Sequence, residues 1–331
     1  MILVTGGTGL VGAHLLLHLA ESESTIRAMY RESKSIEKTK SLFQSYQKES
    51  LFSRIEWIQA DIIDVPSLAI AFQNIDYVYH CAGLISYDPN DEDKLRKVNI
   101  EGTANIVNFC IEHKTKKLCH VSSIAALGSL APNTTAIDEE SEWNPEAAHS
   151  DYVFSKYGAE IEVWRGQQEG LNVVIVNPGV IFGTGFINQG SGVFFSSIKK
   201  GFPFYTHGTS AYVGVTDVVL LMMQLMKSDI VGERFIVTAE NCTFKKVIYE
   251  IAENYQVKKP TFEAKPWLLN IAWRLDWILA TIFRTKRKLS KFSALSLNST
   301  ENISNQKIKN ALNYEFQSID SVIKEVTSFH K

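Results

Sequence analysis

The stretch Val4-Thr5-Gly6-Gly7-Thr8-Gly9-Leu10-Val11-Gly12 decides how the rest of the chain is read. It follows directly on an apolar run beginning at Ile2, which has strand character. It leads directly into Leu10 to Ala20, a helical stretch with apolar residues on most faces. Gly7, Gly9 and Gly12 satisfy G-x-G-x-x-G at that strand-to-helix turn. Glycine tolerates positive φ and lets backbone approach a ligand closely. A helix start offers free N–H groups and a positive dipole end to a pyrophosphate. A glycine motif alone is a weak signal, and a tight structural turn is its bland alternative. The order strand, motif, helix predicts a dinucleotide cradle built from Gly6, Gly7, Thr8, Gly9, Leu10, Val11 and Gly12.

Outward from this turn, short apolar runs alternate with longer amphipathic ones, as in a parallel sheet with crossover helices. Strands are expected at Ile2 to Thr5, Ile26 to Tyr30, Ile55 to Gln59, Asp76 to Ala82, Lys117 to Ser122, Val173 to Asn177 and Arg234 to Thr238. Near-continuous Val/Ile runs are what strands look like when both sheet faces are covered. Helices are expected at Ile100 to Glu112 and Tyr152 to Glu169. Glycines and aromatics crowd residues 179–215, which reads as loops around a pocket. The fold class is therefore α/β, a doubly wound parallel sheet with a smaller, mainly helical C-terminal lobe. Residues 1–177 and 212–239 are assigned to the dinucleotide-binding domain, and 178–211 and 240–331 to the substrate lobe.

The totals exclude several classes. With 331 residues, 45% hydrophobic and 21% charged, the chain is an ordinary globular protein long enough for a sizeable core. A net charge of −2 offers no general attraction to nucleic acid. Cys81, Cys110, Cys119 and Cys242 include no C-x-x-C pair, so no metal site is expected. No uncharged run approaches the roughly 20 residues of a spanning helix. The strand at Ile2 leaves no room for a leader, so the expected compartment is the cytoplasm and the sequons at Asn133, Asn298 and Asn302 are read as idle.

The second strand ends Met29-Tyr30-Arg31-Glu32. A site for NAD usually places a carboxylate there to hold the ribose. Arg31 occupies that place, and a guanidinium suits a 2′-phosphate. NADP is the expected cofactor, with NAD as the alternative should Arg31 be a solvated surface residue and Glu32 the working acid.

Ser122 and Ser123 end the fifth strand, at the carboxyl edge where open α/β sheets place ligands. About a helix later comes Tyr152-Val-Phe-Ser155-Lys156. Residues four apart share a helix face, so Tyr152 and Lys156 point into one space. A phenol ionises near pH ~10, and a neighbouring ammonium is expected to bring that down. A Ser hydroxyl can hold a substrate oxygen while the Tyr gives or takes its proton.

With these residues in order, the sequence resembles the extended short-chain dehydrogenase/reductases, of NAD-dependent epimerase/dehydratase type with a Rossmann sheet. The resemblance rests on Thr5-Gly6-x-x-Gly9-x-x-Gly12, Asp61-Ile62, His80-x-Ala82-Gly83, Asn99-Ile-Glu-Gly102-Thr103, Ser122-Ser123, Tyr152-x-x-Ser155-Lys156 and Asn177-Pro178-Gly179. Tyr212-Val213-x-x-x-Asp217 is a weaker echo. The resemblance implies that Ser123 orients the substrate, Tyr152 is the acid/base, and Lys156 also holds the nicotinamide ribose. It places Asn99 near that lysine, Asp61 and Ile62 at the adenine, Ala82 and Gly83 along the cofactor, and Pro178, Gly179 and Val180 beside the nicotinamide. Without the family, Asn99 reads equally as a helix cap and Asp61 as a strand-end turn.

Departures from subfamily patterns narrow the branch. Dehydratases of the family carry Asp-Glu just after the catalytic Ser or Thr, where this chain has Ile124-Ala125. Many sugar-nucleotide epimerases carry an Arg four residues before the Tyr that matches Tyr212, and here Gly208 stands there. What is left resembles the dihydroflavonol reductase and hydroxysteroid dehydrogenase branch. Phe182, Phe186, Phe194, Phe195, Phe202 and Phe204 suggest an apolar substrate wall, although about half of them are expected to fill the core. The expected activity is that of a carbonyl reductase or alcohol dehydrogenase acting on a small apolar compound. A sugar-nucleotide epimerase with tightly held NAD and a non-catalytic dinucleotide sensor are the alternatives. Members of this family often dimerise, which the residues themselves do not address.

Near the C-terminus, Trp267, Leu268, Ile271, Leu275, Ile278, Leu279 and Ile282 form an apolar helical stripe, followed by Arg284-Thr-Lys-Arg-Lys288. The stripe is expected to pack on the lobe, with the basic run solvated. Contact with a membrane surface, or a cover over a greasy entrance, is the alternative.

Overall fold

The computed structural model describes every residue except Ser24, 131–133, Lys286 and Lys288. The sequon at Asn133 and two lysines of the basic run therefore lie outside the described residues. Its strands, in chain order, are β1 (Ile2–Thr5), β2 (Ile26–Tyr30), β3 (Ile55–Gln59), β4 (Tyr77–His80), β5 (Lys117–Val121), β6 (Val173–Pro178), β7 (Val180–Phe182), β8 (Phe204–Tyr205), β9 (Thr209–Gly214), β10 (Glu233–Val237), β11 (Glu240–Thr243) and β12 (Phe262–Glu263). Seven of them form one parallel sheet in the order β10-β6-β5-β4-β1-β2-β3. The order reverses between β1 and β4, and the crevice outside those strand ends is where such sheets bind ligands.

Strand β6 shows why the sheet strands read as unbroken apolar runs. Val174 and Val176 enter the core on one face, while Val173 and Ile175 enter the core on the other. The first face is covered by the helices Leu10–Ser22 and Val215–Lys227, through residues such as Leu15, Leu19, Val218 and Leu221. The second is covered through Leu68, Phe72, Ile106 and Val163. A third core belongs to the smaller lobe and joins Phe182, Phe195, Tyr212, Phe244, Ile251 and Ile323.

Three sequence expectations differ from the structure. Residues 179–215 are not simply loops. They contain β7, β9 and the helix Gly192–Lys199, and β9 pairs in parallel with β7 and antiparallel with β11. These pairings are between segments distant in sequence, so no local period announces them. The helix at Gly102–Glu112 is preceded by a π-helical turn, Arg96–Glu101, which carries Asn99. The apolar stripe of the helix Pro266–Phe283 does not pack on the lobe. Only Leu269 and Ala280 of that helix are buried, through its opposite side, where Leu269 meets Ala264 and Ala294. Asp276 also faces inward and accepts from the Leu289 amide at 3.2 Å. The seam thus consists of Leu269, Ala280, Asp276 and the partly buried Trp273, and the larger apolar side is left outward. Among the described residues no helix is long and apolar enough to cross a membrane.

Candidate active site

The glycine turn is held by sterics at two points. Gly6 has φ +68°, and a Cβ there would sit 2.7 Å from the Ala82 nitrogen. A Cβ on Gly12 would sit 2.2 Å from the Gly6 carbonyl oxygen. Gly9 is different, because an added Cβ would meet its nearest neighbour, the same carbonyl, at an ordinary 3.5 Å. Packing within the chain does not demand glycine at position 9, whereas close approach of a ligand would. Gly9 is also the N-cap of the helix Leu10–Ser22, with no side-chain cap and no acid in the first turn. That leaves the amides of the first turn for an anion. The cradle therefore fits a dinucleotide pyrophosphate. Thr39 Oγ1 donates to the Gly7 carbonyl at 3.0 Å and fixes the outer side of the turn.

The turn is tied to its neighbouring strand by Thr5. Its hydroxyl accepts from the Ala82 amide at 3.1 Å and bonds His80 Nδ1 at 2.7 Å. His80 Nε2 in turn meets the Thr103 hydroxyl at 3.0 Å. Burial pushes the His80 imidazole down to about 3, with the Lys156 charge adding to it, so the ring is neutral.

The helix Asp151–Gln168 starts at Ser150, whose hydroxyl accepts from the Val153 amide. It carries Tyr152 and Lys156 one turn apart. Its Tyr152 phenol stands beside the Ser123 side chain. Ser123 is itself set by its Oγ accepting from the Ala125 amide at 3.1 Å and its carbonyl accepting from Asn177 Nδ2 at 3.0 Å. Lys156 is buried and donates from Nζ to the Val121 carbonyl at 2.9 Å. Burial lowers its ammonium to about 8, against an opposing pull from Glu160. The phenol of Tyr152 is displaced upward, by burial first and Tyr87 second, with the Ser123 hydrogen bond acting against them. This differs from the expectation that Lys156 brings the phenol down. The lysine's ammonium is engaged by a backbone carbonyl, and desolvation dominates at the tyrosine.

Asn99 does not bond Lys156 directly. Its Nδ2 donates to the Leu84 carbonyl and to Ser155 Oγ, both at 2.9 Å, and its Oδ1 accepts from the Leu84 amide at 2.7 Å. It therefore clamps the helix Asp151–Gln168 to the segment that follows Ala82 and Gly83. At the far end of the crevice, Arg31 is exposed at the tip of β2, and Glu32 is paired with Lys34 at 3.0 Å. Asp61 makes a strand-end turn, its Oδ1 accepting from the Ile63 amide at 3.2 Å. Ile62 is buried against Gly102, where an added Cβ would meet it at 2.6 Å. Pro178 closes β6, and a Cβ on Gly179 would lie 2.3 Å from the Ala211 carbonyl of β9. Val180 follows at the start of β7.

Two residues at the site escaped the sequence reading. Tyr87 sets its ring edge-on to Tyr152, with centroids 5.5 Å apart. It sits in a non-repeating loop, where no period could have flagged it. Glu160 lies one turn beyond Lys156 and is buried, with Ser122 Oγ donating to it at 2.6 Å, Asn177 Nδ2 at 2.8 Å and Arg234 Nη1 at 3.0 Å. Its spacing from Lys156 was visible as a same-face position, but its distant partners were not. Of the six phenylalanines, Phe182, Phe186 and Phe195 are buried core, while Phe202 and Phe204 are exposed.

A glycine cradle at a sheet reversal, facing a Ser-Tyr-Lys group at the ends of the neighbouring strands, defines an extended short-chain dehydrogenase/reductase. The chain belongs to the NAD dependent epimerase/dehydratase family, whose sequence model matches residues 2–237. It is similar to a candidate dihydroflavonol 4-reductase of Synechocystis sp., at 28% identity over 85% of this chain and 80% of the relative. It is equally similar to the sterol demethylase protein B of Methylococcus capsulatus, at 28% identity over 81% of this chain and 78% of that one. In fold it matches the UDP-glucose 4-epimerase of Thermus thermophilus in complex with NAD, with a TM-score of 0.74 and 20% identity over 99% of this chain and 98% of the other. Membership implies an oxidoreductase-type site and a nicotinamide dinucleotide as cofactor.

Proposed function

We propose that this chain is an NADP-dependent carbonyl reductase or alcohol dehydrogenase acting on a small apolar substrate. The observation that carries the reading is the buried Lys156, held to the Val121 carbonyl at the end of β5, one helical turn from Tyr152, which stands beside Ser123. The dinucleotide, when bound, supplies or accepts the hydride. Ser123 holds the substrate oxygen, and Tyr152 gives a proton to that oxygen or takes one from it. A phenol held protonated by burial is the form that donates to a developing alkoxide, which favours reduction. Lys156 and Tyr152 hold the ribose side of the nicotinamide, with Pro178, Gly179 and Val180 beside it. Gly6 to Gly12 take the pyrophosphate, Ala82 and Gly83 line the cofactor, and Asp61 and Ile62 border the adenine. Arg31 meets the 2′-phosphate, and Asn99 positions the catalytic helix.

Gly208 favours this reading over an epimerase. An added Cβ there would lie 2.4 Å from the Leu297 carbonyl oxygen, so the position leaves no room for a diphosphate-holding arginine. The reductase-type names of similar proteins point the same way. The decisive experiment titrates NADPH and NADH against the wild type and Arg31→Ala. NADPH is expected to bind more tightly, with the advantage lost in the variant. Equal or better binding of NADH, with a purified protein that keeps its nucleotide and turns over little added NADPH, would move the epimerase into first place.

A further inference from the structure

We propose that the helix Pro266–Phe283 is a membrane-surface anchor that lies flat on an anionic bilayer. Eight large apolar side chains of this one helix are exposed, among them Trp267 at 62%, Ile282 at 66% and Phe283 at 68%. Trp267, Ile271, Leu275, Ile278 and Ile282 succeed one another at spacings of three and four, so they form one continuous outward face. Continuous exposed patches of this kind mark interaction sites rather than ordinary surface. The helix has 18 residues and is about 27 Å long. Arg274 and Asp276 interrupt it, and it cannot span. An apolar face on a helix of that length suits the interfacial plane.

Charge selects the occupant. Arg274 and the residues capping the helix, Lys265 and Arg284, are exposed cations, while the nearest exposed carboxylate, Glu263, stands before Lys265 within 4.0 Å of His207. The one carboxylate of the helix, Asp276, is turned inward towards the Leu289 amide and the Arg287 guanidinium. A second copy docking about a two-fold axis would set this face against itself, bringing cations together with no carboxylate from the helix to meet them. Anionic headgroups supply the missing charge. Trp267 and Trp277, both exposed, carry the amphipathic rings that settle at headgroup depth. In the sequence, Arg284 opens the basic run Arg284-Thr285-Lys286-Arg287-Lys288.

The anchor ends next to the active site. The Arg287 amide donates to Asp88 Oδ2 at 3.2 Å, and the adjacent Tyr87 is the ring that meets Tyr152. Docking would bring the Tyr87–Tyr152 ring pair close to the lipid, a placement whose functional consequence, unlike the docking itself, rests on the oxidoreductase reading.

The test is flotation with phosphatidylcholine vesicles, with and without phosphatidylglycerol. Wild type is expected to float only with phosphatidylglycerol present and to be released by salt. Ile271→Asp/Ile278→Asp is expected to stay at the bottom while keeping its thermal midpoint and its NADPH affinity. Arg274→Glu/Arg284→Glu is expected to stay at the bottom even with phosphatidylglycerol present, without losing the fold. Wild type that stays at the bottom with anionic vesicles overturns the proposal. So does a solution dimer, without flotation, that the double Asp variant splits into monomers, because the face would then be a subunit interface. None of these readouts uses turnover, so a failed reductase assay leaves the anchor standing, and a failed flotation leaves the reductase standing.

Discussion

Two helices of this chain have 18 residues each and use them in opposite ways. The helix Asp151–Gln168 is rich in polar residues, yet it buries Ser155, Lys156 and Glu160 beside Ala159, Val163 and Gly166. The helix Pro266–Phe283 is rich in tryptophan, leucine and isoleucine, yet it buries only Leu269 and Ala280. Composition does not say which side of a helix is inside; the partners do. Each buried polar group of the first helix has a matching group: Ser155 has Asn99, Lys156 has the Val121 carbonyl, and Glu160 has Ser122, Asn177 and Arg234. Burial of polar and charged groups is tolerated on those terms. The second helix has no such set of partners for its apolar face among the described residues, and that absence is the reason to look outside the chain.

The contrast can be broken at either helix. The largest effect is expected from Tyr152→Phe, which should lower turnover by roughly a hundred- to ten-thousand-fold while leaving NADPH binding nearly intact. Activity unchanged in that variant would favour the sensor reading. Next comes Glu160→Ala, which leaves Arg234 without its buried carboxylate. It should cost about 3 kcal/mol in urea or thermal unfolding, and a loss of only a few tenths would mean that the network is incidental. The smallest effect belongs to the outer helix, where Ile278→Asp should change stability by no more than about 0.5 kcal/mol, as exposed substitutions do. A large loss there, measured by the same unfolding curves, would show that the face is covered within the molecule after all.

Most of the sheet was legible because both of its faces are buried. The runs at Ile2, Ile26 and Val173 are nearly unbroken in apolar residues, and the structure places β1, β2 and β6 there; β3 and β5, at Ile55 and Lys117, each carry two polar residues but keep their apolar majority. The glycine turn was legible because sterics at Gly6 and Gly12 admit no other residue. The short strands β7, β9 and β11 were not, since each depends on a partner far away in the chain, and β7 has only three residues while β11 is mostly polar. The Tyr152–Lys156 spacing was legible as a shared helix face, whereas the upward displacement of the phenol was not, because burial is a tertiary property. The outer helix teaches the same point from the other side. Its period was plain, but a period cannot say whether the stripe meets protein or solvent.

The hydrogen bond from the Arg287 amide to Asp88 has a thermodynamic consequence. It joins the end of the outer helix to the loop that carries Tyr87, and Tyr87 touches Tyr152. Linkage between two such places is reciprocal. If immobilising the helix quiets that loop and tightens substrate by some factor, substrate resting against Tyr152 strengthens the helix's hold on its surface by the same factor. Residence of the protein on that surface would then report how much substrate the surface contains.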